Sequence, residues 1–347
     1  MNIVDCIIIG GGPAGMEAAN RLTDQGFQVL LFEKEPELGG KLRQWDKLFP
    51  DFTLAQDILK MLNDNIASNK LEIKTGNTIR ELRQSTDEGN SKEWEVIDGN
   101  GESHRARTVL ITTGFDFFDA TRKEEYGYGI YPNVITSVEL EEQLKNGKIE
   151  IASNSKNDPN IAFIQCVGSR DEKVGNHYCS RNCCICAVKQ AIEVKELLPQ
   201  SEVTCYYMDL RMFGQSYEEL YRKAQQEFRV NFIRGRVSEI SPTLENRVIL
   251  KAEDTLLSRP IRATVDLVVL MVGMEPSETT AQLSKSLNMS DPYGYIASKN
   301  SYTADNETQH KGLFVAGTAK RQLAIPDVIR DADAAAFTIA KHLKNGK

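Results

Sequence analysis

The sequence contains no apolar run that approaches the ~18–20 residues of a membrane-spanning helix. With a net charge of −7 over 347 residues, it also lacks the basic excess expected of a generic nucleic-acid-binding surface. Residues 1–5 include none of the basic residues that open a signal peptide. There is no internal repeat and no low-complexity tract. Apolar and charged contents of 41% and 26% are ordinary, so we expect a soluble globular chain with about two domains.

Cysteines are scarce outside one short stretch of the chain. Five of the seven lie between Cys166 and Cys186, whereas Cys6 and Cys205 stand alone. An odd number of cysteines packed this closely does not fit a secreted disulfide framework. The pattern instead predicts a cofactor site in a reducing compartment, so we expect a cytoplasmic protein.

The pattern of apolar residues predicts an α/β protein with two Rossmann-like domains. Residues 6–9, 16–22 and 28–32 read as a strand, a helix and a second strand, which together form a βαβ unit. We expect one domain to be split into residues 1–120 and 275–347, with a second domain at 155–270 inserted after a polar linker at 152–160. Further strands are predicted at 108–111, 161–164, 203–208 and 267–270, and helices at 184–198 and 327–343.

The first strand is followed by a dinucleotide-binding fingerprint. Gly10, Gly12 and Gly15 form a G-x-G-x-x-G motif between the strand and the helix. The three glycines permit a tight turn, close approach of a pyrophosphate and close helix packing, and the helix N-terminus attracts phosphate. Glu33 stands 18 residues after Gly15, at the end of the second strand, where its carboxylate can accept hydrogen bonds from both hydroxyls of a ribose.

Three further elements favour FAD as the dinucleotide. The sequence Gly39-Gly40-Lys41 resembles the Gly-Gly element of flavoprotein reductases, and Thr113-Gly114 and Gly317 resemble their two later FAD-contacting turns. The residue after that last glycine, usually aspartate in the superfamily, is Thr318 here. Together these elements resemble flavoproteins of the thioredoxin-reductase type, which have two dinucleotide-binding domains with the second inserted in the first.

The predicted inserted domain lacks the second G-x-G-x-x-G with which that superfamily binds NAD(P)H. Its first strand runs into a C-x12-C-x3-C-C-x-C pattern between Cys166 and Cys186. A second nucleotide is therefore disfavoured at this turn. The spacing matches neither paired zinc motifs nor the bacterial ferredoxin motif. Adjacent cysteines splay their side chains, which favours an iron–sulfur cluster, while structural zinc, a redox dithiol and buried structural thiols remain alternatives.

The cysteine region and two later motifs closely resemble the A subunit of heterodisulfide reductase. The matching segments are CVGSRD at 166–171, YCSRNCC at 178–184, AVKQA at 187–191, YMDLR at 207–211 and IPD at 325–327. The long methanogen forms carry extra ferredoxin modules, and none is recognisable in this sequence. The chain is similar to the short flavoprotein subunits of sulfur-oxidising bacteria, and secondarily to the A subunit of the quinone-interacting membrane-bound oxidoreductase complex.

This resemblance implies specific cofactor ligands. One [4Fe–4S] cluster would be held by Cys166, Cys179, Cys183 and Cys184, with Cys186 a spare thiol or a neighbour of the cluster. Lys189 is the candidate catalytic residue, whose charge would stabilise a reduced flavin. The residues expected to bind FAD are Gly10, Gly12, Pro13, Ala14, Gly15, Glu33, Lys34, Gly39, Gly40, Lys41, Thr113, Gly114, Gly317, Thr318, Ile325 and Pro326.

The resemblance also implies a role in electron transfer. Electron pairs on FAD would be split into single electrons and passed through the cluster to partners like the B and C subunits of heterodisulfide reductase, in sulfur or disulfide metabolism. A homodimer is implied as well. The alternative is a stand-alone FAD-dependent dithiol–disulfide oxidoreductase using Cys183 and Cys186, a C-x-x-C at a helix N-terminus. Thioredoxin reductases carry that motif before the first strand of the inserted domain, which counts against this alternative. A third possibility is a non-enzymatic scaffold with a structural metal.

Overall fold

The computed structural model describes residues 3–67, 71–84, 93–153 and 158–345. Residues 154–157 of the predicted linker lie outside this part. The helices are α1 Pro13–Asp24, α2 Ala55–Ala67, α3 Ser137–Lys145, α4 Cys183–Leu197, α5 Tyr217–Gln226, α6 Glu278–Ser286 and α7 Ile325–Asn345. Among these helices, none combines the length and the apolar content that crossing a membrane requires.

The strands follow in chain order. They are β1 Ile3–Ile9, β2 Val29–Phe32, β3 Glu72–Lys74, β4 Ile79–Gln84, β5 Trp94–Asp98, β6 Ser103–Ile111, β7 Phe115–Phe117, β8 Val134–Thr136, β9 Asn160–Val167, β10 Glu202–Tyr207, β11 Asn231–Arg234, β12 Val237–Pro242, β13 Val248–Asp254, β14 Arg259–Val265, β15 Leu267–Val272, β16 Met274–Pro276 and β17 Leu313–Val315.

The chain folds into two compact units. The first comprises Met1–Arg43, Gln56–Asp116 and Glu275–Lys347, and the second comprises Gln44–Ala55 and Phe117–Met274. These boundaries differ from the predicted ones, because the second unit takes in residues 117–153 and 44–55. Strand β8 pairs with β15 and extends the sheet of the second unit. Phe49 and Phe52 pack against the core of the same unit.

A mainly parallel sheet forms the centre of the first unit. Its strand order is β3-β2-β1-β6-β5-β4, and β17 also pairs with β6. Ile9, the last residue of β1, is in register with Phe32 on one side and with Ile111 on the other, and Val315 is in register with Ile111. The four parallel strands therefore end at one level. The loops that follow them meet at the carboxyl edge, where open α/β sheets bind their ligands.

The residues of β1 and β2 explain their central position. The last four residues of β1 and all of β2 are buried apolar side chains, as expected for parallel strands covered on both faces. On one face they pack against α1 and α7, through alanines such as Ala18 and Ala335. On the other face they pack with Trp94, Leu283 and neighbouring apolar residues. This packing fixes the start of α1 against the ends of the strands.

The second unit contains an all-parallel sheet with the order β11-β10-β9-β15-β8. Strands β12, β13 and β14 form a separate antiparallel meander. Strand β9, helix α4 and strand β10 form a βαβ unit, in which residues 168–182 connect β9 to α4. The predicted fold class, α/β with two Rossmann-like sheets and the second unit inserted in the first, is confirmed.

Candidate functional sites in the two units

The glycine motif of the first unit is tightly built at two of its three positions. Gly10 has a φ of +109°, and a Cβ there would lie 2.5 Å from the carbonyl oxygen of Thr112. A Cβ on Gly15 would lie 1.9 Å from the carbonyl oxygen of Gly10. Neither position can accept a side chain. A Cβ on Gly12, by contrast, would have no atom within 4 Å, so this stretch of backbone borders open space at the start of α1.

The carboxylate of Glu33 lies beside this turn. It is 6% exposed and accepts hydrogen bonds from the backbone N–H groups of Gly11, at 2.6 Å, and Glu35, at 2.9 Å. Each carboxylate oxygen keeps a further lone pair for another donor. The side chain is thus held in place and still able to accept ribose hydroxyls. Lys34, the next residue, is exposed.

The Gly39-Gly40 element packs directly on the glycine motif. The backbone N–H of Gly39 donates to the carbonyl oxygen of Gly11 at 2.8 Å. Gly40 has a φ of +52°, and a Cβ there would lie 3.2 Å from the Cα of Gly12. The next residue, Lys41, places its ammonium 3.2 Å from a carboxylate oxygen of Asp116. Two segments predicted separately from the sequence therefore form one surface.

The two later turns join the same surface. A Cβ on Gly114 would lie 3.7 Å from the hydroxyl oxygen of Thr318. A Cβ on Gly317, whose φ is +69°, would lie 2.9 Å from the Cβ of Ala14. Four segments separated by up to about 300 residues thus meet at one edge of the sheet. Pro13 opens α1 and Ile325-Pro326 opens α7, where a missing proline N–H costs nothing.

The groups that hold the last of these turns were not predicted from the sequence. The backbone N–H of Gly317 donates to a carboxylate oxygen of Asp331 at 2.7 Å. The ammonium of Lys320, with a side chain only 1% exposed, binds Asp331 at 2.7 Å and Asp305 at 2.6 Å. An aspartate within the alanine-rich sequence of α7 was the signal available in the sequence. Its partner could not be read without knowing how α7 packs.

The cysteine-bearing loop of the second unit has an unusual backbone. Cys166, Arg170 and Arg181 have φ values of 61°, 52° and 60°, in the left-handed region that disfavours residues with a Cβ. Each costs roughly 1–2 kcal/mol relative to a right-handed conformation. Such strain persists only where surrounding contacts over-determine the backbone, and it clusters at functional sites.

Hydrogen bonds within the loop and to Met274, the first residue of β16, supply that constraint. The hydroxyls of Ser169 and Ser180 lie 2.6 Å apart across the loop. The Ser180 hydroxyl also accepts from the backbone N–H of Met274 at 2.8 Å, and the Tyr178 hydroxyl donates to the Met274 carbonyl at 2.9 Å. The end of the loop is therefore held to Met274, and its beginning is held to that end through Ser169.

A buried ion pair anchors the middle of the loop. Lys123 and Asp171, with side chains 1% and 2% exposed, lie 2.6 Å apart, and Arg236 approaches the same carboxylate at 2.8 Å. Burial opposes ionisation of Asp171, but the hydrogen bond from Lys123 and the charge of Arg236 outweigh it and lower the pKa of that carboxyl.

We expect Lys123→Met to destabilise the protein by about 3 kcal/mol, because it leaves a buried carboxylate with the half-exposed Arg236 as its remaining cation. The free energy of unfolding in urea measures this. Since the pKa of Asp171 is lowered, its stabilising effect is present above its unfolded pKa, about 4, and is lost as the pH falls further. The matched control is Lys173→Met, an exposed lysine 3.7 Å from Glu125, which should change stability by less than about 0.5 kcal/mol. Equal effects of the two variants would contradict the anchoring role.

The four predicted metal ligands lie close enough to influence one another. Burial raises the pKa of the Cys166 thiol to about 12, and the charges of Cys184 and Cys179 raise it further. Burial also raises the pKa of Cys183 well above its usual value, again with Cys166, Cys184 and Cys179 as neighbours. For Cys186, burial raises the pKa to about 12, and the next influence is the carboxylate of Glu141.

No three of these thiols have sulfur atoms that all lie within 4.8 Å of one another. Within the described ranges, the one group of three or more Cys, His, Asp or Glu ligand atoms within 4.8 Å of one another is Asp98, Glu102 and His104. A zinc tetrahedron with Zn–S bonds of about 2.3 Å places its sulfurs roughly 3.8 Å apart. A cluster binds its cysteines on separate iron atoms and needs a wider spacing. The arrangement fits a cluster better than a single zinc ion.

The Asp98 group has another explanation. One carboxylate oxygen of Asp98 accepts from the backbone N–H groups of Asn100 and Glu102, at 3.0 and 2.9 Å. The other accepts from Asn77 at 2.9 Å and lies 3.1 Å from His104. These bonds close the turn between β5 and β6. These three residues therefore form part of a hairpin turn, in which both carboxylate oxygens of Asp98 already have hydrogen-bond partners.

Lys189 lies in a buried network of charges. It is 2% exposed, its ammonium lies 2.6 Å from Glu141 and 3.1 Å from Glu193, and it donates to the carbonyl oxygen of Lys47 at 2.9 Å. Lys189 was predicted from the sequence, whereas both glutamates were missed. The i, i+4 spacing of Lys189 and Glu193 was a usable signal, whereas Glu141 comes from another helix. A flavin contact of Lys189 stays a prediction.

Curated proteins with similar sequences show which proteins this chain is related to. The chain is 35% identical, over 99% of its length, to the iron–sulfur A subunit of the CoB–CoM heterodisulfide reductase of Methanocaldococcus jannaschii. It is 31% identical, over 98% of its length, to the A subunit of the H2:CoB–CoM heterodisulfide,ferredoxin reductase of Methanothermobacter marburgensis. The chain is a homologue of heterodisulfide reductase A subunits over nearly its whole length. It spans 64% of the length of each of these two relatives.

Other comparisons agree with the fold of this heterodisulfide reductase homologue. The sequence model described as "NAD(P)-binding Rossmann-like domain" matches residues 8–57, which include the glycine motif and Glu33. Thioredoxin reductase of Lactococcus lactis superposes with a TM-score of 0.68 at 18% identity, covering 99% of both chains. The bacillithiol disulfide reductase of Staphylococcus aureus superposes with a TM-score of 0.60 at 14% identity, covering 98% of this chain and 99% of that one. The predicted family and the thioredoxin-reductase-like fold are both confirmed.

Proposed function

We propose that this heterodisulfide reductase homologue is an electron-transfer protein that holds FAD in its first unit and one [4Fe–4S] cluster in its second. The observation that carries the proposal is the contrast between the two turns that follow corresponding strands. In the first unit a Cβ on Gly12 would meet nothing within 4 Å. In the second unit the loop after β9 carries Cys179 and leads to Cys183 and Cys184 at the start of α4.

The first unit supplies the groups that a dinucleotide needs. The open backbone at Gly12 and the N-terminus of α1 suit a pyrophosphate. The Glu33 carboxylate suits a ribose, and the Gly39-Gly40 turn leaves room beside Gly12 for the rest of the cofactor. Gly317, held by Asp331, and Gly114 would border the cofactor from the other side.

The second unit supplies the cluster ligands. Cys166 at the end of β9, Cys179 in the loop, and Cys183 and Cys184 at the start of α4 are the proposed set. The dipole of α4 is positive at its N-terminus and stabilises thiolates there. The backbone N–H of Arg181 also lies 3.3 Å from the Cys179 sulfur, a donor suited to a thiolate. When bound, FAD would exchange electron pairs and the cluster single electrons.

The proposal extends to partners and metabolism. The names of the two relatives describe subunits of heterodisulfide reductases, and one of them is named an iron–sulfur subunit. We propose that B- and C-like subunits accept or supply the electrons of this chain, that two copies form the core of the complex, and that its substrates are disulfides or other sulfur compounds. In this complex the buried charge of Lys189 would stabilise a reduced flavin.

The thiol environments argue against the stand-alone dithiol alternative. A reactive dithiol keeps one thiol with a lowered pKa, so that thiolate is available near neutral pH. Here burial raises the pKa of both Cys183 and Cys186. Neither thiol is activated as a nucleophile. Metal binding itself releases the thiol proton, so the raised pKa of Cys183 is compatible with its proposed role as a cluster ligand.

A reductive titration tests the proposed function. Anaerobically purified protein is titrated with dithionite while the visible spectrum is recorded. We expect uptake of about three electrons per chain, two by the flavin and one by the cluster. Uptake of about two electrons with a purely flavin spectrum would contradict the cluster. Uptake of about one electron with no flavin band would contradict the FAD site.

Glu33→Ala should weaken FAD retention. The variant removes the acceptor of two ribose hydroxyls, and hydrogen bonds to a charged group contribute roughly 1.5–3 kcal/mol. The dissociation constant should rise roughly 10- to 100-fold, measured by flavin fluorescence after dialysis. Glu35→Ala is the matched control, since its exposed side chain is two residues away, and it should keep its FAD. Full FAD occupancy of the Glu33 variant would contradict the assigned site.

A further inference from the structure

Glu193 is a buried carboxylate with poor hydrogen bonding. It is 3% exposed, and one of its oxygens has no hydrogen-bond partner of acceptable geometry, although the Lys189 ammonium lies 3.1 Å away. The other oxygen is 3.8 Å from the ammonium of Lys47. Burial raises the pKa of Glu193 to about 7, against the opposing charges of Lys189 and Lys47. This carboxyl can therefore exchange a proton near neutral pH.

The charges around Glu193 come from several packed elements. Lys189 precedes it by one turn of α4, and Glu141 on α3 binds the same ammonium. Lys47, from the 44–55 segment, lies between Glu193 and the exposed Glu196. Two lysines thus face two buried glutamates, and one added or removed proton changes the charge of the whole group.

Other titratable groups near α4 do not compensate that charge. The Cys186 thiol, one turn before Lys189, has a pKa raised to about 12 by burial and stays neutral near pH 7. On β10, burial raises the pKa of the Cys205 thiol further still. On α5, the ammonium of Lys223 lies 5.8 Å from the ring centres of both Phe52 and Phe228. Near neutral pH the two thiols therefore stay protonated, whereas the pKa of Glu193 lies in that range.

Helix α4 links this network to the cysteine loop. Glu193 follows Cys184 by nine residues, which is an axial rise of about 14 Å. At that distance and an effective dielectric constant of ~20, one added negative charge at the loop raises the pKa of a carboxyl by roughly one unit. Proton affinity would change about tenfold, enough to move a group that titrates near neutral pH between its two states.

We propose that Glu193 is a proton-binding site, loaded when the cysteine loop gains an electron and emptied when it loses one. This inference rests on the proposed function, since the added charge is an electron held by the cluster that Cys166, Cys179, Cys183 and Cys184 would bind. Reduction takes up one electron from the reductant and one proton from solvent, and the proton binds at a carboxylate oxygen of Glu193. Oxidation passes the electron to the oxidant and releases the proton to solvent. Lys189, Glu141 and Lys47 set the proton affinity.

The test measures the midpoint potential of the cluster as a function of pH. Electron paramagnetic resonance of the full chain is used to detect the reduced cluster. In the wild type we expect the potential to fall between about pH 6 and pH 9 by about 59 mV in total, the one-electron equivalent of a tenfold change in proton affinity. The potential falls with rising pH because protonated Glu193 favours the reduced cluster, and this proton is lost at high pH. Glu193→Gln, which cannot titrate, should give a flat profile.

Glu196→Gln is the matched control, because it neutralises an exposed glutamate 4.0 Å from the same Lys47, and it should keep the wild-type profile. In the wild type alone, infrared difference spectra should show a protonated carboxylic acid band appearing on reduction. A flat wild-type profile, or an unchanged slope in Glu193→Gln, would overturn the inference. Protein with neither iron nor a resonance signal would contradict the proposed function itself, and the coupling with it.

Discussion

Alanine in place of any one of the four proposed ligands is expected to remove most of the bound iron, whereas Cys186→Ala leaves it near the wild-type level. The reason is geometric. Cys166, Cys179 and Cys184 all influence Cys183, and Cys186 influences it less, while Cys186 itself lies beside the charges of Glu141, Lys189 and Glu193. Losing a group that only supports a metal ligand costs 10–100-fold in affinity, so losing a direct ligand should cost more.

Iron and acid-labile sulfide per chain measure this effect in anaerobically purified variants. Cys186→Ala is the control within the same loop and helix. If Cys186→Ala lost the cluster while Cys184→Ala kept it, the ligand set would be Cys166, Cys179, Cys183 and Cys186. Variants with unchanged iron at all four proposed positions would contradict a cluster in this loop.

The second large effect is an absence of reactivity towards nicotinamides. The turn after β9 is where a second nucleotide would place its pyrophosphate against bare backbone. There, the loop carries Cys179 and places Cys183 and Cys184 at the start of α4. We therefore expect NADH and NADPH to reduce the flavin of the isolated chain slowly, while dithionite reduces it readily.

Anaerobic stopped-flow mixing with each nicotinamide tests this expectation, and dithionite serves as the control for a competent flavin. Bleaching of the flavin band at rates of ~1–10³ s⁻¹ would show that a nicotinamide site exists elsewhere in the protein. Efficient onward transfer should need the partner subunits.

Local patterns predicted the elements that carry the sites. The first strand, helix and second strand follow from apolar periodicity, and the glycine spacing predicts which backbone positions are closed and which is open. The close contacts at Gly10 and Gly15 and the open space at Gly12 agree with that spacing. The cysteine loop was predicted in the same way, because the strand before it and the helix after it have clear patterns.

Features that depend on distant packing could not be predicted. Asp331 reaches Gly317 only because α7 packs beside β17, and Glu141 reaches Lys189 only because α3 packs beside α4. The 44–55 segment follows directly on the Gly39-Gly40 turn in sequence, yet it packs in the second unit through Phe49 and Phe52. No local pattern indicates such a change of unit. The short strand β8 was missed for a similar reason, since three residues carry little periodicity.

The most direct test of the central claim is metal, sulfide and flavin analysis of anaerobically purified protein, together with its visible spectrum. We predict about four iron atoms, about four acid-labile sulfides and about one FAD per chain, with no stoichiometric zinc. The broad absorption of a cluster should bleach partly on reduction. Protein that carries zinc and no iron, or FAD with neither metal nor sulfide, would contradict the account.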